Sequence, residues 1–299
     1  MKDATERFLS HLKVNNFSEG TINIYRVDLE RFYEFLEGEL GKDVKLEGFD
    51  DLEIRAYLKY LAQTSNSPVT RARKLSAIKS FYNYLCRVEH FPKNHAHDIE
   101  MPKLDKNRYR AFSYLTEEEY RKLLKTVNRE ATTYFYDRDI AIVSTLLGTG
   151  IRVSELVSLN IVDVDFEHKE MRVLRKGQKT TVEVVNDGVL LNIRRWLRKR
   201  EELLLNGEKA IFVSKQKRRM DKSSVQYLIK NYGRKSEIGK KITCHTLRHS
   251  FGTNTLKKGN DIETVRELMG HDSILTTQKY MHSTREDKRK AANSMDVLV

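Results

Sequence analysis

Apolar residues that return every three or four positions commit a chain to helices, and the first hundred residues of this one keep that period. In TINIYRVDLERFYEFLEG the residues Ile22, Tyr25, Leu29, Phe32 and Leu36 line a single helical face. Leu75, Ile78, Tyr82 and Leu85 repeat the pattern in RARKLSAIKSFYNYL. Between them, DDLEIRAYLKYL offers Asp50 or Asp51 as an N-cap, and SNSP, ending at Pro68, supplies a break before the next helix. The expected unit is a small all-helical domain of about four helices.

Two of the three prolines, Pro92 and Pro102, flank KNHAHDIEM, and KLDKNRYRAFSY after them has no sustained apolar period. Residues 92–113 are therefore expected to be a basic linker between a domain at 1–91 and a second at 114–299. The second domain opens at LTEEEYRKLL, where Thr116 and Glu119 have capping-box spacing. DIAIVSTLLGTG then reads as a buried helix stopped by Gly148 and Gly150, with another helix starting near Arg152. Only in EMRVLRKGQKTTVEVV does the period change, to a β-hairpin with Lys176 and Gly177 at its turn. Basic helices follow, so the fold class is mainly α with a small antiparallel sheet.

With 299 residues, 39% of them hydrophobic, the chain can bury real cores, and its net charge of +13 is spread along its length. That distribution favours a polyanion as partner, nucleic acid ahead of a membrane surface. Cys86 and Cys244 are the only cysteines and lack paired spacing, which argues against a disulfide framework or a cysteine zinc site. The start, MKDATERFLSHLK, has no apolar signal core, and no stretch approaches the roughly 18 apolar residues of a membrane span, so a cytoplasmic location is expected.

Arginine, histidine and tyrosine side chains, with one glutamate, carry the candidate chemistry of the second domain. Arg152 stands where a helix begins, an end whose exposed N–H groups disfavour a cation unless an anion lies between; a phosphate or the carboxylate of Glu155, one turn on, would each explain it. In HTLRHSFGTN, His245 and His249 have the four-residue spacing of some zinc enzymes, but a zinc site needs a third ligand, and Arg248 would set a fixed positive charge beside the ion. His245 and Arg248 together instead offer a second donor and a planar fork to a phosphate, with His249 a packing neighbour. Downstream, ELMGHDSILTTQKYMH brings His271 after a helix-ending glycine and then Tyr280. A tyrosine is normally structural, and this chain has 14. Beside cations that stabilise its oxyanion, however, a tyrosine can attack phosphorus.

GTGIRVSEL, RKGQK, HTLRHSFGTN and LMGHDSILTTQKYMH, in that order and spacing, resemble the active-site motifs of the tyrosine recombinase family, the phage integrases and Xer-type enzymes. The resemblance covers nearly the whole chain, the helical first domain being similar to that family's SAM-like core-binding domain, and it favours a minimal Xer-like enzyme because that domain begins almost at Met1. It implies that Arg152 and Arg248 clamp the scissile phosphate, supported by Glu155. His245 and His271 complete the clamp and assist proton transfer, Lys176 protonates the leaving 5′ oxygen, and Tyr280 is the nucleophile. The product would be a 3′-phosphotyrosine ester and a free 5′ hydroxyl, needing neither cofactor nor metal. The implied partners are double-stranded DNA carrying a recombination site and other subunits in a homo- or hetero-tetramer on two synapsed sites. The resemblance implies docking of the tail REDKRKAANSMDVLV on a neighbouring subunit.

Arg73 and Lys74 lie off the apolar face of their helix and are expected to be free for groove or phosphate contact. Chromosome or plasmid dimer resolution is the expected role within the family, against integration or inversion by a mobile element. A type IB topoisomerase, which relaxes rather than exchanges DNA, and a DNA-binding regulator with a decayed site are the rival readings.

Overall fold

The computed structural model describes residues 2–38, 41, 50–103, 114–131, 135–175, 177, 179–203, 207–270 and 277. Contacts divide the chain into two compact units, Met1–Arg108 and Tyr109–Val299.

The first unit holds α1 (Lys2–Val14), α2 (Glu19–Gly38), α3 (Asp51–Gln63) and α4 (Pro68–Val88), with α4 packed against the other three. Of the two candidate caps for α3, Asp50 is the one used: it accepts from the Leu52 N–H at 2.8 Å while Glu53 reaches back to its own N–H at 2.7 Å. Ser67 caps α4 and Pro68 fills its first turn, where a missing N–H costs nothing. Leu29, Phe32, Leu36, Leu75, Ile78, Tyr82 and Leu85 all reach the core, joined by Phe8, Ile54 and Tyr57, while Ile22 and Tyr25 pack at its edge. Each fully buried side chain of this kind contributes about 1.5–3 kcal/mol.

Lys74 departs from its expected place. It is 4% exposed, and its ammonium donates to the Tyr57 hydroxyl at 3.2 Å and lies 3.8 Å from the Asp28 carboxylate. Burial holds its pKa below the ordinary lysine value, with Asp28 opposing. Arg73 also pairs with Asp28, which is 1% exposed on α2, although the arginine itself stays partly open to solvent. Lys74 is thus an internal counterion, buried and not free for groove or phosphate contact as its off-face position had suggested. Asp28→Ala would strand a buried ammonium and is expected to cost about 3–5 kcal/mol, read as a fall in the melting temperature of this unit.

The second unit runs α5 (Glu117–Glu130), α6 (Tyr136–Thr149), α7 (Val153–Ser158), β1 (Val164–Asp165), β2 (Glu170–Leu174), β3 (Thr180–Val184), α8 (Asp187–Glu201), α9 (Lys222–Lys235), α10 (Cys244–Lys257) and α11 (Ile262–Met269). Thr116 and Glu119 form the capping box of α5. The apolar α6 is the central helix, packed on α5, α8 and α10. At its start Asp139 holds both Arg138 and, at 2.6 Å, the hydroxyl of Tyr232 from α9. Gly148 does not stop α6: a Cβ there would lie 2.5 Å from Val189, so this glycine admits α8 close to the helix. Gly150 alone ends it, at φ +65°. The three strands form an antiparallel sheet in the order β1-β2-β3, with Val173 opposite Thr181 and Leu174 opposite Thr180. No described helix is long and apolar enough to cross a membrane.

Candidate active site

The described candidate residues come from two helices, α7 and α10, which meet the C-terminal end of α11. After Gly150 the chain turns at once into α7, with Arg152 at its N-cap position. The Glu155 carboxylate accepts the Arg152 backbone N–H at 2.6 Å on one oxygen and the Arg152 guanidinium at 2.7 Å on the other. The carboxylate explanation for Arg152 is therefore realised, and its side chain remains 38% exposed. Glu155 is 3% exposed and fixes the fork from beneath.

Thr243 caps α10, and from that helix Arg248 is 5% exposed. It donates to the Gly150 carbonyl at 2.6 Å and to the Met269 carbonyl at 2.5 Å. It thereby ties the turn before Arg152 to the C-terminal end of α11, the end whose unpaired carbonyls favour cations. Arg152 makes a long contact to the next carbonyl, that of Gly270, at 3.4 Å. Gly270 itself ends α11 at φ +57°, where a side chain would be strained. Two guanidiniums from different helices thus converge on Met269 and Gly270, immediately before His271 in sequence. His245 is exposed one turn before Arg248, and His249 is half-buried. Burial pushes the Cys244 thiol up to about 11, so beside His245 it is a neutral packing group and no thiolate ligand. Among the described residues, no group of three or more histidine, cysteine, aspartate or glutamate side chains is placed to hold a metal.

On the hairpin, Gly177 turns the chain at φ +79° and the Arg175 N–H donates to the Lys179 carbonyl at 2.7 Å. Lys176, His271 and Tyr280, as well as the tail at 285–299, lie outside the described residues. A cleft beside α9 is lined by Tyr227, Lys230, Arg234, Lys240 and Lys241, a basic surface on the same unit.

The model of the phage integrase family matches residues 113–287, and that of the phage integrase N-terminal SAM-like domain matches residues 5–89. The chain belongs to the phage integrase family. It is 35% identical over 309 residues to a tyrosine recombinase XerC of Caldanaerobacter subterraneus subsp. tengcongensis, a match that spans 96% of this chain and 85% of that one. The crystal structure of XerA recombinase is similar at 28% identity and a TM-score of 0.55, covering 100% of this chain and 99% of the other. The post-cleavage complex of XerH site-specific recombinase on palindromic difH shares the fold at 20% identity and a TM-score of 0.75, covering 91% and 79%. This family member is accordingly a Xer-like tyrosine recombinase, an enzyme that cleaves and rejoins DNA.

In this recombinase, residues the motifs did not single out complete the cluster. Arg175, 8% exposed, donates to Glu155 at 2.9 Å, to the Thr181 hydroxyl at 3.0 Å and to Glu183. A signal was present in β3: its inward positions carry Thr181 and Glu183 while Val182 and Val184 face out, the inverse of ordinary amphipathic alternation. A buried carboxylate on an inward strand position demands a cation.

Proposed function

We propose that the chain is a site-specific recombinase of double-stranded DNA, in which Arg152 and Arg248 grip the scissile phosphate and Tyr280 attacks it. Support comes foremost from the convergence of those two guanidiniums, from α7 and α10, on the Met269 and Gly270 carbonyls. The Tyr280 oxygen bonds to phosphorus as the P–O5′ bond breaks, and negative charge gathers on the equatorial oxygens, where fixed guanidiniums lower the barrier. Lys176 on the hairpin turn gives its proton to the 5′ oxygen, and His245 and His271 assist the clamp and the proton transfers. General-acid help of this kind is worth about 10²- to 10⁴-fold. The phosphotyrosyl ester conserves the bond energy, so the 5′ hydroxyl of a partner strand attacks it and strands exchange through a Holliday junction. Two synapsed sites require four subunits, of this chain alone or with a related one, and the tail at 285–299 docks on a neighbour.

Chromosome or plasmid dimer resolution in the cytoplasm, on the nucleoid, is the role that the Xer-like relatives favour. The matched SAM-like domain and the catalytic domain each contribute to holding the duplex, consistent with the net charge of +13. Because phosphate contacts dominate such binding, affinity falls steeply with salt.

Covalent trapping of the protein on chromosomal DNA of its source, followed by sequencing, gives the recombination site. Two plasmids bearing that site are then expected to exchange partners, and to do so in excess EDTA, because arginines supply the charge that a divalent ion would. Relaxation of a single plasmid without exchange would assign the topoisomerase reaction instead, and loss of activity in EDTA would overturn the metal-free account.

A further inference from the structure

We propose that Arg175 is a positioning residue for the phosphate clamp, a built-in counterion that lets Glu155 hold Arg152 without cancelling it. The proposal rests on the reading of Arg152 and Arg248 as that clamp. Arg175 follows the last residue of β2, immediately before Lys176 in sequence, and its guanidinium is buried. Nη1 donates to Glu155 Oε2 at 2.9 Å, Nη2 to Glu183 Oε1, and Nε to Thr181 Oγ1 at 3.0 Å. Thr181 in turn donates to the same Glu183 oxygen at 2.8 Å. Longer contacts at 3.4 Å reach the carbonyls of Leu268 and Met269, so one side chain touches α7, β3 and the end of α11.

Glu155 is therefore shared: Oε1 takes the Arg152 guanidinium and Oε2 takes Arg175. Among the described residues, the charged side chains gathered here are three arginines, 152, 175 and 248, and two carboxylates, 155 and 183. Without Arg175 the buried Glu183 would lose its guanidinium and Glu155 would rest on Arg152 alone, drawing Arg152 down from the phosphate. The backbone is shaped around the guanidinium: a Cβ at Gly270 would lie 2.6 Å from both Cζ and Nε of Arg175, so the α11 terminus rests flat against it. That terminus is the one Arg248 also holds, so Arg175 sets the spacing of both clamp arginines.

A charge-balanced mutant cycle separates this role from simple packing. Single-turnover cleavage is measured on a nicked suicide duplex carrying the trapped site, with thermal melting of each variant. Arg175→Met is expected to cleave about 10²-fold more slowly, the scale of a small misplacement in a preorganised site. Removing one carboxylate as well, in Arg175→Met/Glu183→Gln, restores the charge balance and is expected to recover about tenfold of that loss, a coupling that only a double-mutant cycle exposes. Arg175→Lys keeps the charge but cannot span both carboxylates from one nitrogen, so it is expected to lose about tenfold, and it carries the test if Arg175→Met does not fold. Wild-type cleavage by Arg175→Lys, or a double variant slower than Arg175→Met, would overturn the proposal. Arg152→Ala separates the role of the clamp from that of Arg175. If it cleaves like the wild type, the clamp reading has failed and the proposal with it. If it is inactive while Arg175→Lys is unaffected, the role of Arg175 alone has failed.

Discussion

Tyr280→Phe is expected to abolish the SDS-resistant protein–DNA adduct while leaving duplex binding largely intact. Phenylalanine keeps the ring and removes only the oxygen that would bond to phosphorus, and water in its place has no positioned nucleophile. Loss of a covalent nucleophile costs on the order of 10⁴-fold or more in rate, so the adduct should vanish from a denaturing gel. Binding draws chiefly on phosphate contacts spread over a chain of net charge +13 and should change little in a gel-shift titration. An adduct surviving in this variant would remove Tyr280 from the reaction.

Arg248→Ala carries the second large effect, because Arg248 serves two purposes at once. As a clamp residue, its loss should slow single-turnover cleavage by about 10²- to 10³-fold, the cost of deleting one preorganised donor to a transition-state anion. As a structural link, it satisfies the Gly150 and Met269 carbonyls at 2.6 and 2.5 Å. Leaving those carbonyls unpaired costs about 1–3 kcal/mol each, which a thermal melt reads independently of catalysis. Arg248→Lys should recover part of the stability and little of the rate, since an ammonium cannot reproduce the fork that reaches two carbonyls and a phosphate. A wild-type cleavage rate in either variant would contradict the clamp.

Helical faces were legible in the sequence because a 3.6-residue period encodes burial directly: Leu29, Phe32 and Leu36 lie where the spacing puts them. Caps were legible for the same local reason, as at Thr116 and Glu119. What depended on a distant partner was not. Nothing beside Lys74 announces Asp28, which sits on another helix and turns an off-face cation into a buried one. Gly148 and Gly150 look alike in the chain, yet Val189 across the interface makes one a packing glycine and a left-handed backbone makes the other a cap. At Arg152 the sequence offered Glu155 or a phosphate, and the geometry has Glu155 holding one side of a fork whose other nitrogen reaches the Gly270 carbonyl at 3.4 Å while the side chain stays 38% exposed. Arg175 stands next to a turn lysine, and its partners Glu155 and Glu183 lie on other elements, so only the inverted alternation of β3 hints at it.

The central claim is a 3′-phosphotyrosyl intermediate on Tyr280, and the chemistry of the trapped adduct tests it most directly. Denatured adducts would be digested with trypsin and the nucleotide-bearing peptide sequenced by mass spectrometry, while the freed DNA ends are treated with polynucleotide kinase without prior phosphatase. The account predicts that the modified peptide contains Tyr280 and that the cleaved strands accept label at a free 5′ hydroxyl. A nucleotide on another residue, or 5′ ends that are blocked while the 3′ hydroxyls are free, would contradict it.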